Sequence, residues 1–529
     1  MPLPLPLPAA ATSTPYWLTN LPTPLQNIRN YQTSPTLPTH VMDVVIIGSG
    51  MTGASVAYHL SANQTPTQNQ NICVLDGRGL CSGATGRNGG FLHAHSFNQW
   101  WPLYEKYGVV TATKLCWMEK AGRQAIHDVS QTEHIECELD TDVKLAMLFP
   151  TNQGMRDKLG WFHSLRHTIL SFCGIQALDT TKECAQVFNI PPPPSTTNSP
   201  DAAQDSPIQS AIVIDQGCDT FWPAKFVLTI CQRLIDRNVT VHTHTMVTKV
   251  TRTVHNQQAL YVVSTDRGQD ILTKNVVHAT NGWVSGLLPD FEHVIQPVLN
   301  TVVSASPSRS LLRDPQRRTG MDLQPGYHYW HSRQDGTIVL GGFRNTRPDR
   351  GVGVWQDGAP AEKDVVAAEH LLHELGFFHE SGGTDRGARG DSLTIDQAWT
   401  GIIGWSMDGL PFVGPWERRG GSQDGVGGMA GAEGAVAAGK EYVCAGFSGH
   451  GMTQTWLAGK AVADMIETQQ QIHTGTLSIP ALCLEWYATK MGVVPGGYSF
   501  LLPTPDRIGK AKKKGGDWLA YEKSKEEEM

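Results

Sequence analysis

The run Val44-Val45-Ile46-Ile47 leads directly into Gly48-Ser49-Gly50-Met51-Thr52-Gly53, and Ala54 to Leu60 follow. A β-branched run, a glycine-rich turn and a helix-forming stretch in that order predict strand, turn and helix. No other feature of the 529-residue chain restricts its fold as much. The first glycine makes the tight turn, the second lets a pyrophosphate approach the main chain, and the third lets helix and strand pack closely. The helix N-terminus then faces the phosphate charge with its free N–H groups. An acid is needed at the end of the next strand to hold the ribose hydroxyls. Asp76 follows Ile72-Cys73-Val74-Leu75 and supplies it, with the polar stretch 63–71 lengthening the connection. These elements predict a Rossmann-type α/β dinucleotide-binding unit. FAD, NAD and NADP stay open on this pattern alone.

Composition bounds the rest. Hydrophobic residues make up 40% of the chain and charged residues 17%, which is enough for a large core. The formal charge of -7 argues against a nucleic-acid partner. Ten cysteines without a C-x-x-C pair or Cys/His metal spacing predict reduced thiols and no metal site. No apolar run reaches the length of a membrane span, so cytoplasm is the expected location. The N-terminus alternates Pro and Leu up to Pro8 and lacks the basic region of a signal peptide. Residues 1–40 are therefore expected to form a disordered or extended arm. The Pro/Ser-rich stretch 192–207 reads as a surface insertion and the Gly/Ala-rich stretch 417–439 as a flexible loop. Residues 471–529 read as a C-terminal extension, charged and solvated after Arg507.

Three further stretches carry information. "CSGATGRNGG", Cys81 to Gly90, has no apolar periodicity and four glycines, so it reads as a tightly turned loop that approaches something closely. "YHYWHSRQDGTIVLGGF" predicts a hairpin turning at Asp335-Gly336. "EYVCAGFSGHGMTQTWLAGKAVADMI" predicts a second strand, glycine turn and helix.

Taken together, "DVVIIGSGMTGASVAYHL", "VLDGRGLCSGATGRNGG" and "GFSGHGMT" resemble the FAD-dependent D-amino-acid oxidase superfamily, and most closely its branch of γ-glutamylputrescine oxidoreductase-like enzymes. The resemblance covers about residues 41–470. It implies FAD, bound non-covalently, in a discontinuous domain of residues 41–100, 211–285 and 400–470. It also implies an inserted α+β substrate domain of mixed or antiparallel sheet, residues 101–210 and 286–399. Gly48, Ser49, Gly50, Met51, Thr52, Gly53 and Asp76 would take the pyrophosphate and adenosine ribose, with Gly77 and Arg78 beside them. Ser82, Gly83, Ala84, Thr85, Arg87, Asn88, Gly89 and Gly90 would run below the cofactor, with Ser82, Thr85 and Arg87 offering hydroxyls and charge to phosphate. Val247 matches the strand whose backbone meets the adenine, and Thr280 and Asn281 a strand end near the cofactor. Gly449, His450, Gly451 and Met452 match a helix start beside the isoalloxazine, where the helix dipole favours negative charge.

The implied chemistry is hydride removal from a carbon next to nitrogen, giving an imine and, with oxygen as acceptor, peroxide. The expected partners are a small-molecule amine and oxygen. Tyr327, Tyr329, Arg344 and His450 are the candidates for contact with the substrate: phenols for hydrogen bonding, and a guanidinium for a carboxylate. Trp405 is a candidate pocket wall. Met407 stands in a segment where some relatives carry a flavin-bound cysteine, which argues against cysteinyl attachment, while His93 and His95 leave a histidyl bond open. Two competing readings are an oxidase or dehydrogenase tailoring a nitrogenous secondary metabolite, and a non-catalytic protein that retains FAD.

Overall fold

The computed structural model describes residues 8, 13–62, 70–93, 96–165, 175–188, 208–306, 319–323, 328–375, 394–418, 439–473 and 501–515. Met42–Ile47 forms the strand expected from its β-branched run. It lies at the centre of a parallel array whose order is Glu441–Ala445, Asp270–His278, Met42–Ile47, Ile72–Leu75 and Thr240–His242. Both faces of this array are covered, so its strands are apolar throughout rather than alternating. Helix Met51–Ala62 covers one face and packs on Gly451–His473 and Pro223–Asp236. Phe412–Trp416 adds an antiparallel edge, and the meander Val247–His255 and Gln258–Thr265 hangs from Asp270–His278.

A second, nine-stranded sheet runs in the order Thr394–Ser406, Ile295–Ser306, Ile338–Gly342, His328–Ser332, Thr319–Leu323, Asp140–Phe149, Ser210–Thr220 and Phe91–His93, with Ile175–Leu178 paired to Ser210–Thr220. It is antiparallel except where Thr319–Leu323 lies parallel to Asp140–Phe149. The hairpin forms as read, with Gly336 at φ 86° donating its N–H to Arg333 O. Phe91–His93, Ser210–Thr220 and Thr394–Ser406 all belong to this sheet. Its strands thus come from residues that the sequence reading divides between both domains. Strand pairing set those memberships, and pairing partners are remote in sequence.

The arm is a clear departure from expectation. From Ser13 onward it is packed: Tyr16–Thr19 and Thr23–Ile28 are short helices, and Tyr16, Trp17 and Leu18 are buried. Trp17 meets Trp222 edge-on, and the Arg333 guanidinium lies over Tyr16, Trp17 and Trp222 at 4.7–5.5 Å. The residues that anchor it come after the Pro-Leu alternation that suggested disorder. The C-terminal segment departs likewise. Helix Pro505–Gly515 buries Ile508 and Ala511, and Arg507 pairs with Asp408 at 2.6 Å. The lysines of "KAKKK" masked two apolar anchors, Ile508 two residues before that run and Ala511 within it. The stretches 192–207 and 419–438 lie outside the described residues. Among the described residues, no helix is long and apolar enough to cross a membrane and no cluster of His, Cys, Asp and Glu could hold a metal ion.

Candidate cofactor and active site

One cavity joins the C-terminal ends of the parallel strands to the face of the second sheet. At its first end Gly48 takes φ +110°, and a Cβ there would stand 2.7 Å from Ala279 O. A Cβ on Gly53 would overlap the carbonyl of Gly48, so the third glycine acts in helix–strand packing and does not line the cavity. The Asp76 carboxylate accepts from Ser49 N at 2.9 Å, Ser49 Oγ at 2.5 Å and Arg78 N at 2.9 Å. It therefore ties the glycine turn to the end of the second strand while still bordering the cavity. Thr85 Oγ1 accepts from Met51 N at 3.0 Å, which binds the 81–90 loop to the start of helix Met51–Ala62.

The loop itself is held in an unexpected way. Trp399 Nε1 donates to Arg87 O at 2.9 Å, Trp17 Nε1 to Asn88 O at 2.6 Å, and His331 Nε2 to Gly89 O at 2.7 Å. The carbonyl can only accept, so His331 carries its proton on Nε2. Three consecutive carbonyls are thus drawn to three buried aromatic donors from three parts of the chain. All described peptide bonds are trans, so the N–H groups of Asn88 and Gly89 point the opposite way. Neither has an acceptor among the described residues, and both residues border the cavity.

Two of the expected phosphate contacts are otherwise engaged. Ser82 Oγ donates to Gly79 O at 2.6 Å, and Ser82 does not border the cavity. The Arg87 guanidinium donates to the carbonyls of Ser82, Thr400 and Ser13 at 2.8–2.9 Å and lies 3.2 Å from Asp357 Oδ2 as an ion pair without hydrogen-bond alignment. Burial pushes its pKa down to about 10 against the pull of Asp357. Arg78 Nη1 meets the other Asp357 oxygen at 2.7 Å. Both arginines are structural ties for the loop. Gly90 packs against Trp17 and does not border the cavity either. The remaining expected residues do border it: Gly50, Met51, Thr52, Gly77, Gly83, Ala84, Val247, Thr280, Asn281, Gly449, Gly451 and Met452.

At the other end the second sheet supplies side chains. The Tyr329 ring lies against Gly89 and Gly341, and its hydroxyl accepts from Asn300 Nδ2 at 3.2 Å. Desolvation pushes the phenol up to about 12, so it is neutral throughout the working range. Arg344 lies over the Trp405 ring at 5.1 Å, and both border the cavity, as does His450. Burial lowers His93 and His331 to about 4, so both imidazoles are neutral at pH 7. Tyr327 and His95 lie outside the described residues. Met407 is core, and no described cysteine borders the cavity. The late turn is fastened to the second sheet by Ser448 N to Gly404 O at 2.9 Å and by Ser448 Oγ accepting from Ser406 N at 3.0 Å.

Sequence reasoning missed Trp17, Trp399, His331, Asn300, Asp357 and Asp322. Asp322 had a faint signal, as the one acid in the strand "TGMDL". The others act through contacts between residues 29 to 312 positions apart, which no local pattern displays.

The donors and clearances fit an FAD: a glycine cradle at a helix start, an acid at the second strand, amides along the 81–90 loop, and a second helix start at Gly451. The family model of the FAD dependent oxidoreductases (DAO) matches residues 43–465. The probable oxidoreductase OrdL of Haemophilus influenzae is 22% identical over 477 residues, covering 88% of this chain and 93% of that protein. Glycine oxidase from Geobacillus kaustophilus superposes with a TM-score of 0.57 at 18% identity, covering 81% of this chain and 95% of that one. An L-amino acid deaminase from Proteus vulgaris gives 0.57 at 15% identity, covering 85% and 95%.

Proposed function

Since the chain belongs to the DAO family of FAD-dependent oxidoreductases, we propose that it oxidises a C–N bond of an amine or amino acid, with oxygen as the acceptor. The observation that carries this reading is the meeting of three things in one cavity: the 83–89 loop, the Gly449–Met452 turn, and a polar face of the second sheet. FAD, when bound, supplies the acceptor for a hydride leaving the carbon next to nitrogen.

The chain's own residues bind and orient. The glycine turn and the start of helix Met51–Ala62 hold the pyrophosphate, and Asp76 holds the ribose. The N–H groups of Asn88 and Gly89, fixed by their clamped carbonyls, offer donors without reorganisation. Tyr329 serves as a neutral hydrogen-bonding group whose hydroxyl is aimed by Asn300. Arg344, steadied on Trp405, is suited to a substrate carboxylate. The substrate nitrogen must be neutral for hydride to leave. The neutral His93 and apolar walls such as Ile402, Ile403 and Phe447 keep it from being held as a cation there.

An anaerobic screen of amines and amino acids, read by bleaching of the flavin band, tests the reading. Bleaching by a nitrogen compound, followed by peroxide on admitting air, supports it. Bleaching only by hydroxy acids or polyols would overturn it, and bleaching without peroxide would replace oxygen by another acceptor.

A further inference from the structure

Three successive peptide units of the 81–90 loop are restrained to different degrees. The 89–90 unit is fixed from both sides: Gly89 O accepts from His331 Nε2 at 2.7 Å, and Gly90 N donates to Asn88 Oδ1 at 2.8 Å. The 87–88 unit has its carbonyl on Trp399 Nε1 and lies between two residues with side chains, Arg87 and Asn88, which restrict its rotation. The 88–89 unit has less to hold it. Among the described residues its one hydrogen bond runs from Trp17 Nε1 to Asn88 O at 2.6 Å. Gly89 follows and gives the unit little steric preference. Nor can a larger residue stand there, since a Cβ on Gly89 would lie 2.3 Å from the Tyr329 ring.

The orientation of the 88–89 unit therefore depends on residue 17, which precedes the family-matched span 43–465. Trp17 is itself firmly placed. It is fully buried, its carbonyl accepts from Trp222 Nε1 at 2.8 Å, and the Arg333 guanidinium lies over its ring at 5.1 Å. The arm also meets the loop on either side of it: Arg87 Nη2 donates to Ser13 O at 2.8 Å, and Leu80 N to Arg29 O at 2.8 Å. With Asn88 O turned onto the indole, the Gly89 N–H points the opposite way across a trans peptide, and Asn88 and Gly89 both border the cavity.

A fixed donor favours the bound state that carries more negative charge, and a flavin becomes more negative when it is reduced. We propose that Trp17 is a positioning residue for the flavin: by holding Asn88 O it keeps the Gly89 N–H aimed into the cofactor cavity, and so raises the potential at which bound FAD is reduced. Trp17 acts in this way whatever substrate delivers the electrons, so its role stands apart from the C–N oxidation reading.

The test is the midpoint potential of the FAD-loaded protein, measured without any amine by slow anaerobic reduction with xanthine and xanthine oxidase beside a reference dye. Trp17→Phe keeps a buried ring and deletes the N–H. A hydrogen bond to an anion is stronger than one to a neutral acceptor, so Trp17→Phe should weaken binding of the reduced flavin about tenfold more than that of the oxidised one. For a two-electron couple this lowers the potential by about 30 mV. Tyr16→Phe is the control: it deletes the neighbouring hydrogen bond of the arm, from the Tyr16 hydroxyl to Asp335 Oδ2 at 3.2 Å, and leaves the indole in place. Its potential should equal the parent's. An unchanged or raised potential in Trp17→Phe, including equal weakening of both flavin states, overturns the proposal. So does an equal fall in Tyr16→Phe, which marks general loosening of the arm. If Trp17→Phe does not fold, 3-benzothienylalanine introduced at position 17 keeps the indole outline, lacks the N–H and gives the same comparison. A bleaching screen that finds no nitrogen substrate ends the C–N oxidation reading and leaves the potential difference standing.

Discussion

Removing the Trp17 side chain should damage cofactor binding from outside the family-matched region. Trp17 is fully buried and its indole N–H holds Asn88 O at 2.6 Å. Trp17→Phe keeps most of the packing and deletes that hydrogen bond, at about 1 kcal/mol. Where the loop must be ordered to bind FAD, this is about a fivefold weaker cofactor. Trp17→Ala adds the loss of a buried indole, roughly 3–5 kcal/mol. With about 3 kcal/mol of that falling on the loop, FAD affinity drops by about two orders of magnitude. Trp416 is the control: it is equally buried, packs on Phe291 and does not border the cavity. Trp416→Ala should lower the melting temperature comparably and leave FAD affinity alone. Reconstituting apoprotein with FAD and following flavin fluorescence gives both affinities. If Trp17→Ala and Trp416→Ala lower stability alike and neither shifts the FAD dissociation constant, the arm is not part of the flavin site.

Asp76→Asn should weaken FAD at least tenfold and also lower the melting temperature, because the carboxylate accepts from Ser49 and Arg78 within the turn; unchanged flavin content on gel filtration would remove its ribose role. Glu441 is fully buried and bridges His278 at 2.8 Å and Arg418 at 2.6 Å. Burial opposes its ionisation, but hydrogen bonds from Arg418 and His278 outweigh that and bring it down to about 2. Its folded value lies below its unfolded one, so its stabilisation is full above about pH 4.5 and fades as the pH falls towards 2. Glu441→Gln should cost roughly 3–5 kcal/mol at pH 7 in urea unfolding and flatten that acid limb. His331 is also depressed, from 6.5 to about 4, by burial. It stabilises the fold above about pH 6.5 and loses that contribution as the pH falls through 4. Urea midpoints of His331→Gln should therefore vary less with pH between 6.5 and 4 than those of the parent.

The glycine-turn end of the cavity was largely legible because its geometry is local. Gly48 to Gly53, Asp76 and the Gly449–Met452 turn each act through a few neighbouring residues, and sequence order preserves that. Arg87 shows the limit. Its charge next to glycines invited a phosphate role, yet Asp357 and three carbonyls claim the guanidinium. Composition can announce a charge but not the partner, 270 positions on, that neutralises it. The arm was misread for a related reason. Alternating Pro and Leu dominate its first residues, while the anchoring aromatic pair Tyr16-Trp17 is too short to give a periodic signal.

The clamp on the 81–90 loop explains why one cavity is built from two sheets. Trp399 and His331 come from the second sheet, Trp17 from the arm, and Thr85 fastens the same loop to helix Met51–Ala62 of the first. Tyr329, beside Asp322, leans on Gly89 of that loop. A displacement of the second sheet would therefore move the loop amides and the proposed substrate contacts together. Such shared anchoring keeps a reacting carbon and its acceptor in register, since a shift of about 1 Å is enough to cost two orders of magnitude in rate. The three aromatic donors thus bear on rate as well as on cofactor retention, and a variant such as Trp399→Phe should slow flavin bleaching by saturating substrate even where FAD stays bound.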